Sequence, residues 1–80
     1  MSISVERFDA SVVDVAVSDS TLRVVLADGR ELSAPIACFP RLRDGTPRDR
    51  LNWRPIGRGQ GIHWPALDED ISIGSLLRMA

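Results

Sequence analysis

The sequence has one cysteine, no lysine and no long apolar run, and each of these gaps excludes a class of protein. Because Cys38 stands alone, no disulfide can form within the chain, and we expect a reducing compartment. A membrane-spanning helix needs about 18 to 20 consecutive apolar residues, and no stretch approaches that length. The segment "MSISVERFDA" carries charges where a signal peptide has its apolar centre, so we expect a cytoplasmic protein.

The charged residues of the chain are numerous and nearly balanced. Ten arginines oppose eleven acidic residues and give a net charge of −1, so no overall positive field is present to hold nucleic acid. The length of 80 residues predicts a single domain over residues 1–80, because so short a chain cannot divide its apolar residues between two cores. Within that domain we expect residues 1–10 to form a loosely ordered N-terminus.

Apolar and polar residues alternate over residues 11–35, a period of two that predicts β-strands. A two-residue turn at Asp19-Ser20 places the valines and leucines of the first two strands on one face. A three-residue loop over residues 27–29, with Gly29 left-handed, keeps the third strand on the same face. We therefore predict a three-stranded antiparallel meander. Its predicted cross-strand pairs are Val17–Leu22, Val15–Val24, Val13–Leu26, Val24–Leu32 and Leu22–Ala34.

Two short helices are predicted to cover the apolar face of the meander. Pro40 fits the first turn of a helix in "IACFPRLRDG", and Gly45 then ends that helix. In "TPRDRLNW", Thr46 is the N-cap, Pro47 the first helical residue and Asp49 the third, which is a variant of the capping box. The core contacts predicted for this region are Phe39, Leu42, Leu51 and Trp53.

Glycines occupy three alternate positions further along, at Gly57, Gly59 and Gly61. They resemble a phosphate-binding loop only superficially, because the Walker loop needs a lysine and this chain has none. We predict instead a turn between two short strands, one near Trp53–Ile56 and one near Gly61–Trp64.

The end of the chain has the clearest helical pattern, with apolar residues spaced at i, i+3, i+4 and i+7 behind Ser72, the predicted N-cap. Three acids precede that helix and would lie beside its positive end. The predicted fold class is therefore α+β: a three-stranded antiparallel β-meander, one or two short helices, a further short β-pair and a C-terminal helix. The apolar residues are Ile73, Leu76, Leu77 and Ala80, and the acids are Asp68, Glu69 and Asp70.

Metal and acid–base chemistry are two hypotheses for the segment "GIHWPALDED". His63 with Asp68 and Asp70 offers three metal ligands, but zinc sites normally use more nitrogen or sulfur donors than one histidine. A general acid and base would need a pocket, for which a domain of this size has little room. We prefer the interpretation that His63 is a partly buried strand residue, hydrogen-bonded to backbone or to an acid. A metal-dependent or acid–base enzyme at these residues stays a weaker alternative, and no cofactor is predicted.

Six of the ten arginines fall within residues 41–58, interrupted only by Asp44 and Asp49. With Trp53 nearby they form a basic patch and an aromatic platform, which is typical of nucleic-acid binding. The net acidic charge and the lack of a recognisable recognition helix argue against that function. Tryptophan and arginine are also enriched in protein–protein hot spots. The contrast between this patch and the acidic "LDED" near the end suits a protein partner or head-to-tail self-association.

A protein–protein interaction surface is therefore the preferred hypothesis, with a small nucleic-acid-binding regulator as the alternative. The candidate surface residues are Arg41, Arg48, Arg50, Trp53, Arg54, His63, Trp64, Asp68, Glu69 and Asp70.

Four segments of the sequence resemble a known family. They are "DGR" at 28–30, "CFPRL" at 38–42, "NWR" at 52–54 and "GIHWPALDEDIS…LL" at 61–77. Together they are similar to the small bacterial family named domain of unknown function 2442, over residues 12–77. The resemblance implies a compact α+β domain and supplies no catalytic residues.

What the resemblance implies about function is a partner. Members of the family often lie beside a gene for another small domain, an arrangement similar to a toxin–antitoxin pair. Some carry an added helix-turn-helix domain, which we do not expect within these 80 residues, so the resemblance does not imply direct transcriptional control by them. We therefore predict a non-enzymatic interaction module, the antitoxin-like or accessory member of a bacterial two-gene pair, with a small protein partner encoded nearby.

Overall fold

Residues 9–79 of the chain are described by the computed structural model, and they form two three-stranded antiparallel sheets with short helices between and after them. The predicted α+β class is confirmed. The expectation of a loosely ordered N-terminus falls mostly on residues 1–8, which lie outside the described residues. The elements are β1 Val12–Val17, β2 Thr21–Leu26, β3 Glu31–Pro35, a 3₁₀ turn Ile36–Cys38, α1 Pro40–Arg43, α2 Pro47–Leu51, β4 Arg54–Ile56, β5 Gly61–Trp64, a 3₁₀ turn Pro65–Leu67, β6 Glu69–Ser72 and α3 Ile73–Met79.

The first sheet has the strand order β1-β2-β3, and most of its predicted register is confirmed. Gly29 has φ of +93°, as the three-residue loop between β2 and β3 requires. Because this loop length decides which residues of β3 lie opposite those of β2, the apolar residues of all three strands share the buried face. The confirmed pairs are Val17–Leu22, Val15–Val24, Val24–Leu32 and Leu22–Ala34.

The predicted pairing of Val13 with Leu26 is wrong. A bulge between Val12 and Asp14 shifts the register, so that Val12 lies opposite Leu26 and Val13 is 55 % exposed. Beside this bulge the amide of Val12 donates to the carbonyl oxygen of Gly59, 2.9 Å away in the turn between β4 and β5.

Local capping explains both short helices. Thr46 Oγ1 accepts from the amide of Asp49 at 3.1 Å, and the Asp49 carboxylate accepts from the amide of Thr46 at 3.3 Å, which confirms the capping box of α2. Pro40 begins α1, and the helix ends before Gly45 as predicted. Gly45 is not left-handed, however; a Cβ there would lie 3.0 Å from both methyl carbons of Leu67. Close packing against Leu67 is therefore the reason for this glycine.

The second sheet has the strand order β4-β5-β6 and contains the predicted pair, β4 and β5. Gly57, Arg58 and Gly59 all have positive φ in the turn that joins them. The sequence reasoning missed the third strand, because it assigned the acids of β6 only to the approach of the C-terminal helix. That helix does begin as predicted, since Ser72 Oγ accepts from the amide of Ser75 at 3.0 Å.

A single core joins the two sheets, and its largest fully buried side chain is that of Trp64. Leu42 is fully buried as predicted, and Phe39 and Trp53 pack partly buried against the same core. Leu51 was expected in this core and is 79 % exposed, so that prediction is wrong. In α3 the buried residues are Ile73 and Leu76; Leu77 is exposed, and Ala80 lies outside the described residues.

Candidate interaction surface

Two of the ten candidate surface residues, Arg50 and Trp64, are buried. Trp64 faces the core from β5, and its indole Nε1 donates to the carbonyl oxygen of Arg50 at 3.1 Å. The alternation of β5 decides this placement, because Ile62 and Trp64 share one face of the strand and His63 takes the other. The side chains of Arg50 and Trp64 are therefore mostly shielded from solvent.

The Arg50 guanidinium holds three elements together. Its Nε and Nη2 donate to the carbonyl oxygens of Leu42 and Arg43, each at 2.8 Å, and its Nη1 donates to Asp19 Oδ1 at 2.9 Å. The last carbonyls of α1 have no partner within their own helix, and the planar fork of an arginine suits them. Arg50 is thus a cap for α1 rather than a surface charge.

The arginines of residues 41–58 do not act as one patch. Arg41 on α1 donates from Nη1 to the carbonyl oxygen of Asp68, which ties α1 to the turn before β6. Arg43 pairs with Asp44, whose Oδ1 lies 3.0 Å from its Nε, and this contact lowers the pKa of the Asp44 carboxyl. The hydrogen bond from Arg43 is the largest cause, and the charge attraction adds to it.

Three arginines of this segment are left with free side chains. Within residues 9–79, no side-chain hydrogen bond or ion pair engages Arg48, Arg54 or Arg58, and all three are exposed. Trp53 is half-buried against the core, so it offers only part of its ring to a partner. The basic surface that remains is smaller than the sequence predicts.

A row of charged and polar side chains crosses the outer face of the second sheet. Arg54 on β4 lies opposite His63 on β5, and His63 lies opposite Asp70 on β6. Directly opposite residues of antiparallel strands present their side chains on the same face. Arg54 and Asp70 are thus two strand spacings apart, roughly 10 Å. At that separation they form no ion pair with each other, and both are open to a partner.

His63 is the centre of this row and is fixed by Asp70. Its Nδ1 and the Asp70 carboxylate form a short hydrogen bond. Since an ionised carboxylate can only accept, Nδ1 is the donor in this bond, and Nε2 is left for other contacts. The prediction that His63 is a partly buried strand residue bonded to an acid is confirmed.

The other two acids have separate places. Glu69 is half-buried, and its Oε1 accepts from the amide of Asp70 at 3.2 Å. Asp68 is exposed and left-handed, with φ of +49°, in the turn before β6. Over residues 9–79 no three His, Cys, Asp or Glu side chains gather closely enough to hold a metal ion. The row can recognise a partner of complementary charge.

A second feature, which the sequence reasoning missed, is a groove between α2 and β1. Leu51 and Pro47 of α2 line it together with Val15 and Val17 of β1. The only signal in the sequence was Leu51 itself, an apolar residue in the last turn of a five-residue helix. A helix that short cannot bury both of its sides, so one apolar residue is left outside.

Among residues 9–79 no helix is long and apolar enough to cross a membrane.

Comparison with known proteins identifies a family. No curated protein and no solved structure matches the chain. The model of one family matches residues 12–80, which covers both sheets and all three helices. The chain therefore belongs to the family described as protein of unknown function DUF2442, as its sequence motifs predict.

Proposed function

We propose that this chain is a non-enzymatic protein–protein interaction module, the antitoxin-like or accessory member of a bacterial two-gene pair. The observation that carries the proposal is the row formed by Arg54, His63 and Asp70. It runs from a free positive charge on β4 to an acidic group on β6 across a regular sheet face.

The polarity of this row supports a protein partner. A protein surface can offer an acid to Arg54 and a base to Asp70 at the same time, whereas nucleic acid would be repelled by Asp70 and by nearby Asp68. His63 Nε2 adds a polar contact between the two charges. Such complementary charges set specificity and association rate more than raw affinity.

The proposal is tested by producing the chain together with the protein encoded by the neighbouring gene. The two should elute as one complex from a sizing column, and Arg54→Gln with Asp70→Asn should weaken that complex about tenfold or more, as interface hot spots do. Arg23→Gln is the matched control, since Arg23 is an exposed strand arginine on the other sheet. Clean separation of the two wild-type proteins would refute the proposal.

Nucleic-acid binding is the second candidate, favoured by the free side chains of Arg48, Arg54 and Arg58. A mobility shift at low salt that disappears in the triple glutamine variant of these residues would support it, since phosphate contacts are salt-dependent. No shift at low salt would remove this candidate.

A further inference from the structure

Within residues 9–79, the outer edge of β1 has backbone groups without partners. Ser18 and Thr21 form a hydrogen-bonded pair at the turn between β1 and β2, the amide of Ser18 donating to the carbonyl of Thr21 at 2.9 Å. Because such pairs alternate along an antiparallel ladder, Ala16 also points its backbone groups toward β2, and Val15 and Val17 point theirs away. No residue among 9–79 bonds to the amides of Val15 and Val17 on that side.

Each of the other edge strands carries a feature that hinders pairing. The outward position of β4 is Pro55, which has no N–H, and β3 ends in Pro35 beside the packed helix α3. On β6 the outward amide of Asp70 is bonded by the carboxylate of Glu69. Proline and covering elements are the ordinary means by which edges are kept from pairing. The C-terminal half of β1 has no proline, and although α2 packs beside it, its outward amides have no hydrogen-bond partner within residues 9–79; the bulge near Val13 disturbs the other half.

A groove of about 380 Å³, lined by both polar and apolar side chains, lies beside this edge. Val15 and Val17 form one wall, and Pro47 and Leu51 of α2 form the other. A strand added to β1 would present alternate side chains on the same side as Val15 and Val17. Those side chains would enter the groove and cover Leu51, which is 79 % exposed.

Two carboxylates flank this edge of β1. Asp14 stands on β1 with an exposed side chain and no ion pair within residues 9–79. Asp19, at the other end of the edge, exposes 99 % of its side chain although Arg50 bonds one of its oxygens. An incoming strand with basic residues near its ends would meet both carboxylates.

We propose that the edge of β1 receives an extended segment of a protein partner by strand addition, with apolar side chains in the groove and basic residues at Asp14 and Asp19. The proposal rests on the function proposed above, because it names how a partner segment would bind. Ladder hydrogen bonds would supply part of the affinity, and the groove would select the side chains.

The test uses a seven-residue peptide with valine at alternate positions, threonine between them and arginine at both ends. Added to the full chain, it should shift the amide resonances of Val15 and Val17 and slow their hydrogen exchange. Leu51→Ser should weaken binding about tenfold or more, since a buried leucine contact is lost. Met79→Ser is the matched control, because Met79 is 47 % exposed on a different helix and should leave the affinity unchanged.

Two altered peptides make the test specific. N-methylation of the nitrogens that face β1 should abolish binding, and glutamate in place of the terminal arginines should weaken it severalfold at low salt. Equal binding of either peptide would overturn the proposal. The proposal would also be overturned if the amides of Val15 and Val17 exchanged slowly without peptide and only when the chain dimerises. The segment that occupies the edge would then belong to a second copy of the chain. The peptide test needs no partner protein. Its failure would therefore not refute the complex that we propose to form through Arg54 and Asp70.

Discussion

The guanidinium of Arg50 meets α1, α2 and the turn between β1 and β2 within one set of hydrogen bonds. Its ion pair with Asp19 contributes little, because the carboxylate is 99 % exposed and well solvated. The two bonds to the carbonyl oxygens of Leu42 and Arg43 matter more, since the side chain of Arg50 is only 9 % exposed and shields them from water. How much each contact of Arg50 contributes to stability therefore depends on how far water reaches the partner atom.

Replacing Arg50 with alanine should lower the free energy of unfolding by roughly 2–4 kcal/mol, because buried acceptors lose a charged donor and a void is left. Urea denaturation measures this change. Arg48→Ala, two residues earlier on the same helix and exposed, should change stability by no more than about 0.5 kcal/mol. Equal effects of the two substitutions would show that Arg50 is not a structural cap.

The hairpin of β2 and β3 shows how exposed charges act on an element. Arg23 Nε donates to Glu31 Oε1 at 2.9 Å across the outer face of the sheet, with both side chains about half exposed, 53 % and 51 %. The hydrogen bond from Arg23, followed by its charge, lowers the pKa of Glu31. Next to it, the hydrogen bonds from Arg30 lower the pKa of Asp28 in the turn. Both carboxylates are therefore held in their ionised form by this hairpin.

A lowered pKa in the folded state adds stability at pH values above the unfolded value, which is about 4 for Asp and Glu. That contribution is lost as the pH falls through the folded pKa. The melting temperature should thus be steady from pH 7 to about 5 and fall below about 4. Glu31→Gln and Arg23→Gln should each make that fall shallower, as thermal denaturation at a series of pH values will show. High salt should shrink the difference, since exposed pairs are screened; an unchanged slope in both variants would contradict the assignment.

The whole molecule depends on links between its two sheets. The amide of Val12 donates to the carbonyl oxygen of Gly59 at 2.9 Å, Ser11 Oγ donates to the carbonyl oxygen of Arg58 at 3.3 Å, and one core is shared by side chains from both sheets. A Cβ at Gly59 would lie 2.8 Å from the Cβ of Ser11, so the glycine turn permits the sheets to approach. Neither three-stranded sheet has a core of its own.

We therefore expect the two sheets to unfold together in one transition. Tryptophan fluorescence, which reports Trp53 and Trp64 around the second sheet, should change at the same urea concentration as the amide signals of Leu22 and Val24 in the first sheet. Coincident transitions are the mark of two-state behaviour in small domains. A plateau in which one sheet keeps its amide signals after the other has lost them would show two independent units.

Local spacing was sufficient for part of this fold. The register of Val15 with Val24 follows from the turn lengths, and the cap of α2 follows from the positions of Thr46 and Asp49, because these interactions span few residues. The exposure of Leu51 and the existence of strand β6 could not be predicted from local spacing. Each depends on a neighbour far along the chain, β1 for Leu51 and β5 for the acids of β6.

The candidate surface was likewise predictable from the sequence only in part. Its charged residues Arg54, His63 and Asp70 are present in the sequence, but only the pairing of β4, β5 and β6 places them in one row. By itself the sequence determined the fold class, the first sheet's pattern and the helix caps, since these rest on side-chain period and short-range hydrogen bonds. Within residues 9–79, the tertiary structure decided which arginines and which strand-edge amides have no hydrogen-bond partner, because burial and edge pairing are set by contacts between segments distant in the chain.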